Sequence, residues 1–173
     1  NAAWLAAEPD LAPHEAANLR KAAAIPAPTP LLVAVDEDGS VCGLPTVLMT
    51  RVPGSVQLNP ADHDVWLREL AIAIVPLHHL DPADHRWTYR PYTDLSQLRV
   101  PDWSAEPARW AQAIERVQGP RPGYTERFIH RDYHPMNVLW NGAGLSGIVD
   151  WPNACRGPAG IDTGWCRTNL SSM

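Results

Sequence analysis

At 173 residues, 45% apolar and 19% charged, the chain has the composition of a folded globular domain, or of a piece of a larger one, and not of a disordered segment. A net charge of -5 and a pI near 5.7 argue against a binder of nucleic-acid phosphates, which needs a basic face, and a mild acidic excess suits a cationic substrate. The longest apolar run, Leu70 to Leu77, is too short to cross a bilayer and no signal peptide is visible; Cys42, Cys155 and Cys166 lack paired spacing, so neither a disulfide framework nor a zinc site is expected, and the cytoplasm is the expected compartment.

Proline is abundant at 18 residues and tryptophan at 8, which predicts a loop-rich fold with large aromatic anchors and no long uninterrupted helix. Asp10 is placed to cap a helix from about Leu11 to Ala24, with Pro13 in its first turn and Pro26 as its stop. Leu31 to Val35 and Val47 to Val52 read as a hairpin, with Asp36-Glu37-Asp38-Gly39 as turn signal and Pro53-Gly54 following. From Pro60, expected near the first turn, Trp66, Leu70, Ala73, Ile74 and Leu77 recur on one helical face. Pro76 falls inside that pattern and predicts a kink or an early end. His78 and His79 close this helix, where its dipole favours a cation, and the chain to Pro101 is expected to be irregular. Pro107 to Val117 predicts a further helix, closed by Gly119-Pro120.

The densest chemistry lies in Phe128 to Trp151, FIHRDYHPMNVLWNGAGLSGIVDW. If its apolar runs are buried strands, Asp132, Asn137 and Asp150 lie on the loops at one edge of a sheet. Val138-Leu139-Trp140 is a candidate strand, Asn141-Gly142-Ala143-Gly144 turns the chain back, and Ile148-Val149 delivers Asp150 to the same end. Phosphoryl transfer needs a group to orient and deprotonate the attacking hydroxyl and hard oxygen ligands for magnesium. His130, Arg131, Asp132 and Asn137 match H-R-D-x-x-x-x-N, and Asp150-Trp151 stands where a kinase carries D-F-G. Two other readings remain at this level. The three polar residues are ordinary turn formers, or His130, Asp132 and His134 ligate a transition metal.

FIHRDYHPMNVLW followed by GIVDWPNACRGPAGIDTGW resembles the aminoglycoside phosphotransferase family. The resemblance implies an α+β, protein-kinase-like two-lobe fold, here partial. Residues 1–53 would be the remnant of the small nucleotide-binding lobe with the hinge, and residues 54–173 the catalytic large lobe. It implies ATP and Mg2+ as cofactors and a small-molecule hydroxyl as acceptor, with neither nucleic acid nor membrane as partner. Asp132 would be the catalytic base, with Asn137 and Asp150 holding the metal. Leu48 to Gly54 is similar to the segment joining the lobes, which would put Thr50 and Val52 at the adenine. His130 and Asp162 would be supports, and Glu15 resembles the helix glutamate that pairs with the ATP-binding lysine. His134, Asp102 and Trp103 are candidates for acceptor contacts; Asp94, Asp102, Glu106, Trp103 and Trp110 offer carboxylates and aromatics that suit an amino-sugar or a quaternary amine.

The chain also departs from the family. Lys21 is its single lysine and lies in the same helix as Glu15, so it is not the strand lysine. The expectation is therefore a central fragment, lacking the phosphate-covering strands and the last helices of the substrate lobe, and weak or inactive by itself. From a different class, the alternative is a truncated pseudokinase or nucleotide-binding fragment. Kinases for choline, homoserine or a sugar share the fold and stay open, and antibiotic resistance does not follow from family membership.

Overall fold

The computed structural model describes residues 8–142 and 144–173. Helix α1 (Leu11–Ala22) forms in an alanine-rich stretch, where side-chain entropy opposes the helix least, and buries Ala12, Ala16, Leu19 and Ala22 along one face. Asp10 sits at its N-cap position but makes no capping hydrogen bond; its carboxylate instead accepts from the Trp87 indole at 2.7 Å. The helix stops at Ala22, short of the expected Ala24.

Strands β1 (Leu32–Asp36) and β2 (Thr46–Met49) form the expected antiparallel hairpin. Its connection is longer than a four-residue turn, and the Asp36 carboxylate organises it by accepting from the N–H groups of Gly39, Val41 and Cys42. Helix α2 (His63–Ala73) is capped by Asp62, which accepts from the Val65 N–H at 3.0 Å, so Pro60 lies just ahead of its first turn. Pro76 breaks the pattern as expected, leaving a separate turn α3 (Val75–His78). Helix α4 (Pro107–Gln118) ends at Gly119 and buries none of its residues.

The stretch Phe128 to Trp151 does not build one sheet. Strand β3 (Glu126–Ile129) pairs with β6 (Cys155–Pro158), while β4 (Val138–Asn141) pairs with β5 (Gly144–Ile148), each as a separate antiparallel ribbon. The single sheet edge expected from the sequence is thus replaced by two ribbon ends facing each other. Ala143, in the expected turn between β4 and β5, lies outside the described residues. The segment read as irregular is pinned at its centre, where Tyr89 N–H donates to the Arg156 carbonyl at 2.6 Å and Arg156 N–H to the Trp87 carbonyl at 2.8 Å. Helix α5 (Gly160–Ser171) closes the described chain.

The core lies where α1, α2 and the two ribbons meet, built from Leu19, Trp66, Leu70, Leu77, Phe128, Tyr133, Val138, Trp140, Ile148 and Trp151. Each large side chain withdrawn from water contributes about 1.5 to 3 kcal/mol. The segment after β2 is docked on β4 and β5. Ser55 and Trp140 exchange backbone hydrogen bonds at 3.0 and 2.9 Å. At Gly54, with φ 120°, a Cβ would meet Ser146 Oγ at 2.2 Å and the Trp140 carbonyl at 2.8 Å, so only glycine lets the chain pass there.

An aromatic knot ties α1 to this core. His14 stacks on Trp87 at 4.2 Å between ring centroids, and His85 meets Phe128 edge-on at 4.9 Å. Burial, reinforced by the His14 charge, lowers the His85 pKa to about 4; His14 and His130 are lowered by burial as well. Between pH 6.5 and about 4 the unfolded chain therefore binds protons that the folded chain refuses. Stability should be complete above pH 6.5 and fall as pH drops through that window. Urea midpoints at pH 7 and pH 4.5 measure the fall, and His85→Leu should reduce it.

Candidate active site

Asp132 leaves β3 through a strained turn. Arg131 carries φ 69° and Asp150 φ 70°, a left-handed conformation that non-glycine residues adopt only when their surroundings hold them there. For Arg131 the holder is Asp162 at the start of α5, fully buried. Its Oδ1 accepts from the Arg131 N–H at 2.7 Å, and its Oδ2 accepts from the His130 N–H at 3.0 Å and from His78 Nε2 at 2.8 Å. Three donors thus satisfy one buried carboxylate. His78, read from sequence only as a helix-ending cation, is one of them.

His130 is fully buried and donates from Nε2 to the Val149 carbonyl at 3.0 Å. It ties the Asp132 turn to the residue before Asp150. The Val149 N–H in turn donates to the Asn137 carbonyl at 2.9 Å, and Asn137 Nδ2 donates to the Asp132 carbonyl at 3.0 Å. These bonds draw Asp132, Asn137 and Asp150 together from the two ribbons. They also orient Asn137 so that Nδ2 is spent on the loop and Oδ1 is left without a hydrogen-bond partner among the described residues. Among the described residues the Asp150 carboxylate has no hydrogen-bond or ion-pair partner.

An amide oxygen and a carboxylate are hard donors, and two protein ligands suit magnesium, which keeps water or phosphate oxygens for its remaining positions. The transition-metal reading fails on His130, whose Nε2 is a donor to Val149. No group of three or more metal-binding side chains occurs among the described residues. His134 Nδ1 lies 3.2 Å from the Met136 N–H, and its Nε2 lies 3.3 Å from Asn137 Nδ2 and 3.5 Å from Asp132 Oδ1.

Helix α1 reaches the site from the other side. Asn18, fully buried, donates to the Trp151 carbonyl at 2.7 Å, and His14 Nε2 donates to the Ala154 carbonyl at 2.7 Å. Both grip the segment that follows Asp150. The Glu15 pKa is raised by burial and then by the charge of Asp150, which puts the two carboxylates within electrostatic reach. Lys21 is turned away and pairs with Asp84. At the end of β2, the Thr50 N–H donates to the Leu31 carbonyl at 2.9 Å. The Thr50 carbonyl and the Val52 N–H have no hydrogen-bond partner among the described residues.

Asp102 and Trp103 are not brought to this group. Trp103 is 79% exposed and packs edge-on against Trp110 at 6.0 Å, beside α4. The neighbouring carboxylates have local tasks: Asp94 caps the turn Leu95–Gln97, and Glu106 lies 3.5 Å from Arg109. What sequence reasoning missed is Asn18, His14 and Trp165, whose indole N–H donates to Asp132 Oδ1 at 2.6 Å. Asn18 carries no motif signal, and Trp165 ends the stretch that carries the resemblance but had no role assigned from it; only the fold brings them to the loop.

A family model described as the phosphotransferase enzyme family matches residues 5–172. A homoserine kinase of Rhodopseudomonas palustris (strain HaA2) is 29% identical over 142 residues, 75% of this chain and 43% of that protein. Two solved structures share the fold. The aminoglycoside-3'-phosphotransferase of type VIII matches with a TM-score of 0.66 at 19% identity, over 93% of this chain and 65% of that one. The aminoglycoside phosphotransferase APH(3'')-Id from Streptomyces rimosus, in complex with ADP and streptomycin, matches with a TM-score of 0.61 at 16% identity, over 94% and 67%. The chain spans less than half the length of the homoserine kinase and about two thirds of the two structures.

Removing the Asp162 carboxylate strands three donors, of His130, Arg131 and His78, around a fully buried position. Asp162→Ala should cost about 3 to 5 kcal/mol of unfolding free energy, read as a lowered urea midpoint at pH 7.

Proposed function

This chain belongs to the phosphotransferase enzyme family, and we propose that it is the catalytic core of a kinase that transfers the γ-phosphoryl group of ATP to the hydroxyl of a small molecule. Residues 1–53 are read as part of the nucleotide-binding lobe with the hinge, and residues 54–173 as the catalytic lobe. One observation carries this reading. The hydrogen bonds from Val149 to Asn137 and from Asn137 to Asp132 join a candidate base to a pair of hard oxygen ligands.

In this reading Asp132 accepts the proton of the acceptor hydroxyl while the acceptor oxygen bonds to the γ-phosphorus. The bond from that phosphorus to the β,γ-bridging oxygen breaks, and ADP leaves. Asn137 Oδ1 and the Asp150 carboxylate would hold magnesium, which when bound draws negative charge off the phosphates. The free Thr50 carbonyl and Val52 N–H offer one acceptor and one donor to the adenine edge. His130 and Asp162 fix the loop without touching a reactant, and His134 flanks Asp132 on the acceptor side.

A second reading, nucleotide binding without transfer, is favoured by a separate observation. The half-buried Glu15 carboxylate has no cationic partner among the described residues, and the single lysine is engaged elsewhere. The two readings separate on turnover. With ATP, Mg2+ and a panel of small alcohols and amino-sugars, acceptor-dependent ADP release is expected, and Asp132→Asn should lower it about 100- to 10,000-fold with nucleotide affinity unchanged. ADP binding without any acceptor-dependent release supports the second reading. Release equal in the variant removes Asp132 from the role of base.

A further inference from the structure

Beside Asp132 lies a cavity of about 270 Å³ lined by Tyr89, Tyr92, Arg131, Ile161, Trp165 and Thr168. It adjoins the candidate base through Trp165, whose indole N–H is on Asp132 Oδ1 at 2.6 Å. Trp165, 42% exposed, also forms a wall of the cavity. The indole therefore has two consequences. It fixes the rotation of the carboxylate, and with Oδ1 on the indole and Oδ2 only 3.4 Å from Asn137 Nδ2, the lone pair left on Oδ2 is the one with capacity for an incoming hydroxyl proton.

The charge of the lining is the informative part. It contains no Asp, Glu, Lys or His, and its one formal charge is the Arg131 guanidinium. That group lies 4.0 Å from the Tyr92 ring centroid and 5.9 Å from that of Tyr89. Nη2 donates to the Arg90 carbonyl at 2.7 Å, Nε is buried out of reach of a ligand, and Nη1 makes no hydrogen bond among the described residues. A guanidinium with donor capacity left, between two phenols and an indole, is suited to a carboxylate on a short carbon body. Arg131 already occupies the Tyr92 face that would otherwise attract an amine, and a second cation beside it costs free energy in a half-enclosed space.

We propose that this cavity is the acceptor subsite and that it selects a small hydroxylated carboxylate, held by Arg131 and walled by Trp165, over a polycationic amino-sugar. The inference rests on Asp132 as the base. It reverses the expectation that net acidity and the carboxylates of residues 94–106 raised, since those carboxylates lie outside the cavity.

The test reads binding in the 173-residue chain by NMR. The Trp165 indole N–H resonance is identified by its loss in Trp165→Phe. The probes are 4-hydroxybutanoate, its uncharged analogue 1,4-butanediol, and streptomycin. Saturable movement of that resonance is expected with 4-hydroxybutanoate, at a concentration about tenfold lower than with the diol, and no movement is expected with streptomycin. Arg131→Gln should abolish the preference for the carboxylate while leaving the diol titration unchanged, and Arg131→Lys should restore part of it. Movement by streptomycin at lower concentration than by 4-hydroxybutanoate overturns the proposal, as does an unchanged preference in Arg131→Gln or a resonance that none of the probes moves. Each of these failures leaves the Asp132 turnover test standing, so the subsite and the reaction class fail separately.

Discussion

A carboxylate taken out of water is costly unless its oxygens are fully engaged, and Asp162 meets that condition by accepting from the backbone of the very turn that carries Asp132. The same bonds that make the buried charge tolerable hold Arg131 in a left-handed conformation it would not keep alone. His78 adds a third donor from α3, so the anchor spans the end of α3, the start of α5 and the loop. Local strain at Arg131 is maintained by electrostatics and burial imported from elsewhere in the fold.

A second set of contacts acts on the opposite flank. Asn18 and His14 bond to carbonyls just beyond Asp150, and the Asp150 charge contributes to the raised Glu15 pKa. A rotation of α1 would therefore shift the segment carrying Asp150 as well as Glu15. The two flanks meet at His130, which touches the Asp162 anchor through its backbone and the Val149 carbonyl through its ring. Because burial lowers its pKa, the ring stays neutral and keeps a single, defined donor.

Much of this was readable before the fold was known, for physical reasons. The hairpin, the break at Pro76 and the helix after Pro107 follow from local periodicity and from proline's missing donor. The grouping of Asp132, Asn137 and Asp150 was legible because one short stretch carries all three. The pairing of strands was not, since β3 joins β6 across a separation that alternation cannot encode, and one sheet was expected where two ribbons exist. Asp10 looked like a cap by position, but the Trp87 indole, distant in sequence, took its carboxylate. Asn18 and Trp165 stayed hidden because a buried amide and an indole near a helix end are unremarkable until the segment they face is known.

The two-ribbon arrangement has a consequence for how such a site can change. No continuous sheet sets the separation between Asp132 and the Asn137–Asp150 pair; side-chain and loop hydrogen bonds set it, with Asn137 and His130 as the links. A rigid sheet would lock that spacing into the backbone. Here a single replacement on either ribbon can retune it by fractions of an ångström while each ribbon keeps its own pairing, so the gap between Asp132 and the Asn137–Asp150 pair is a quantity that selection can adjust without dismantling the scaffold.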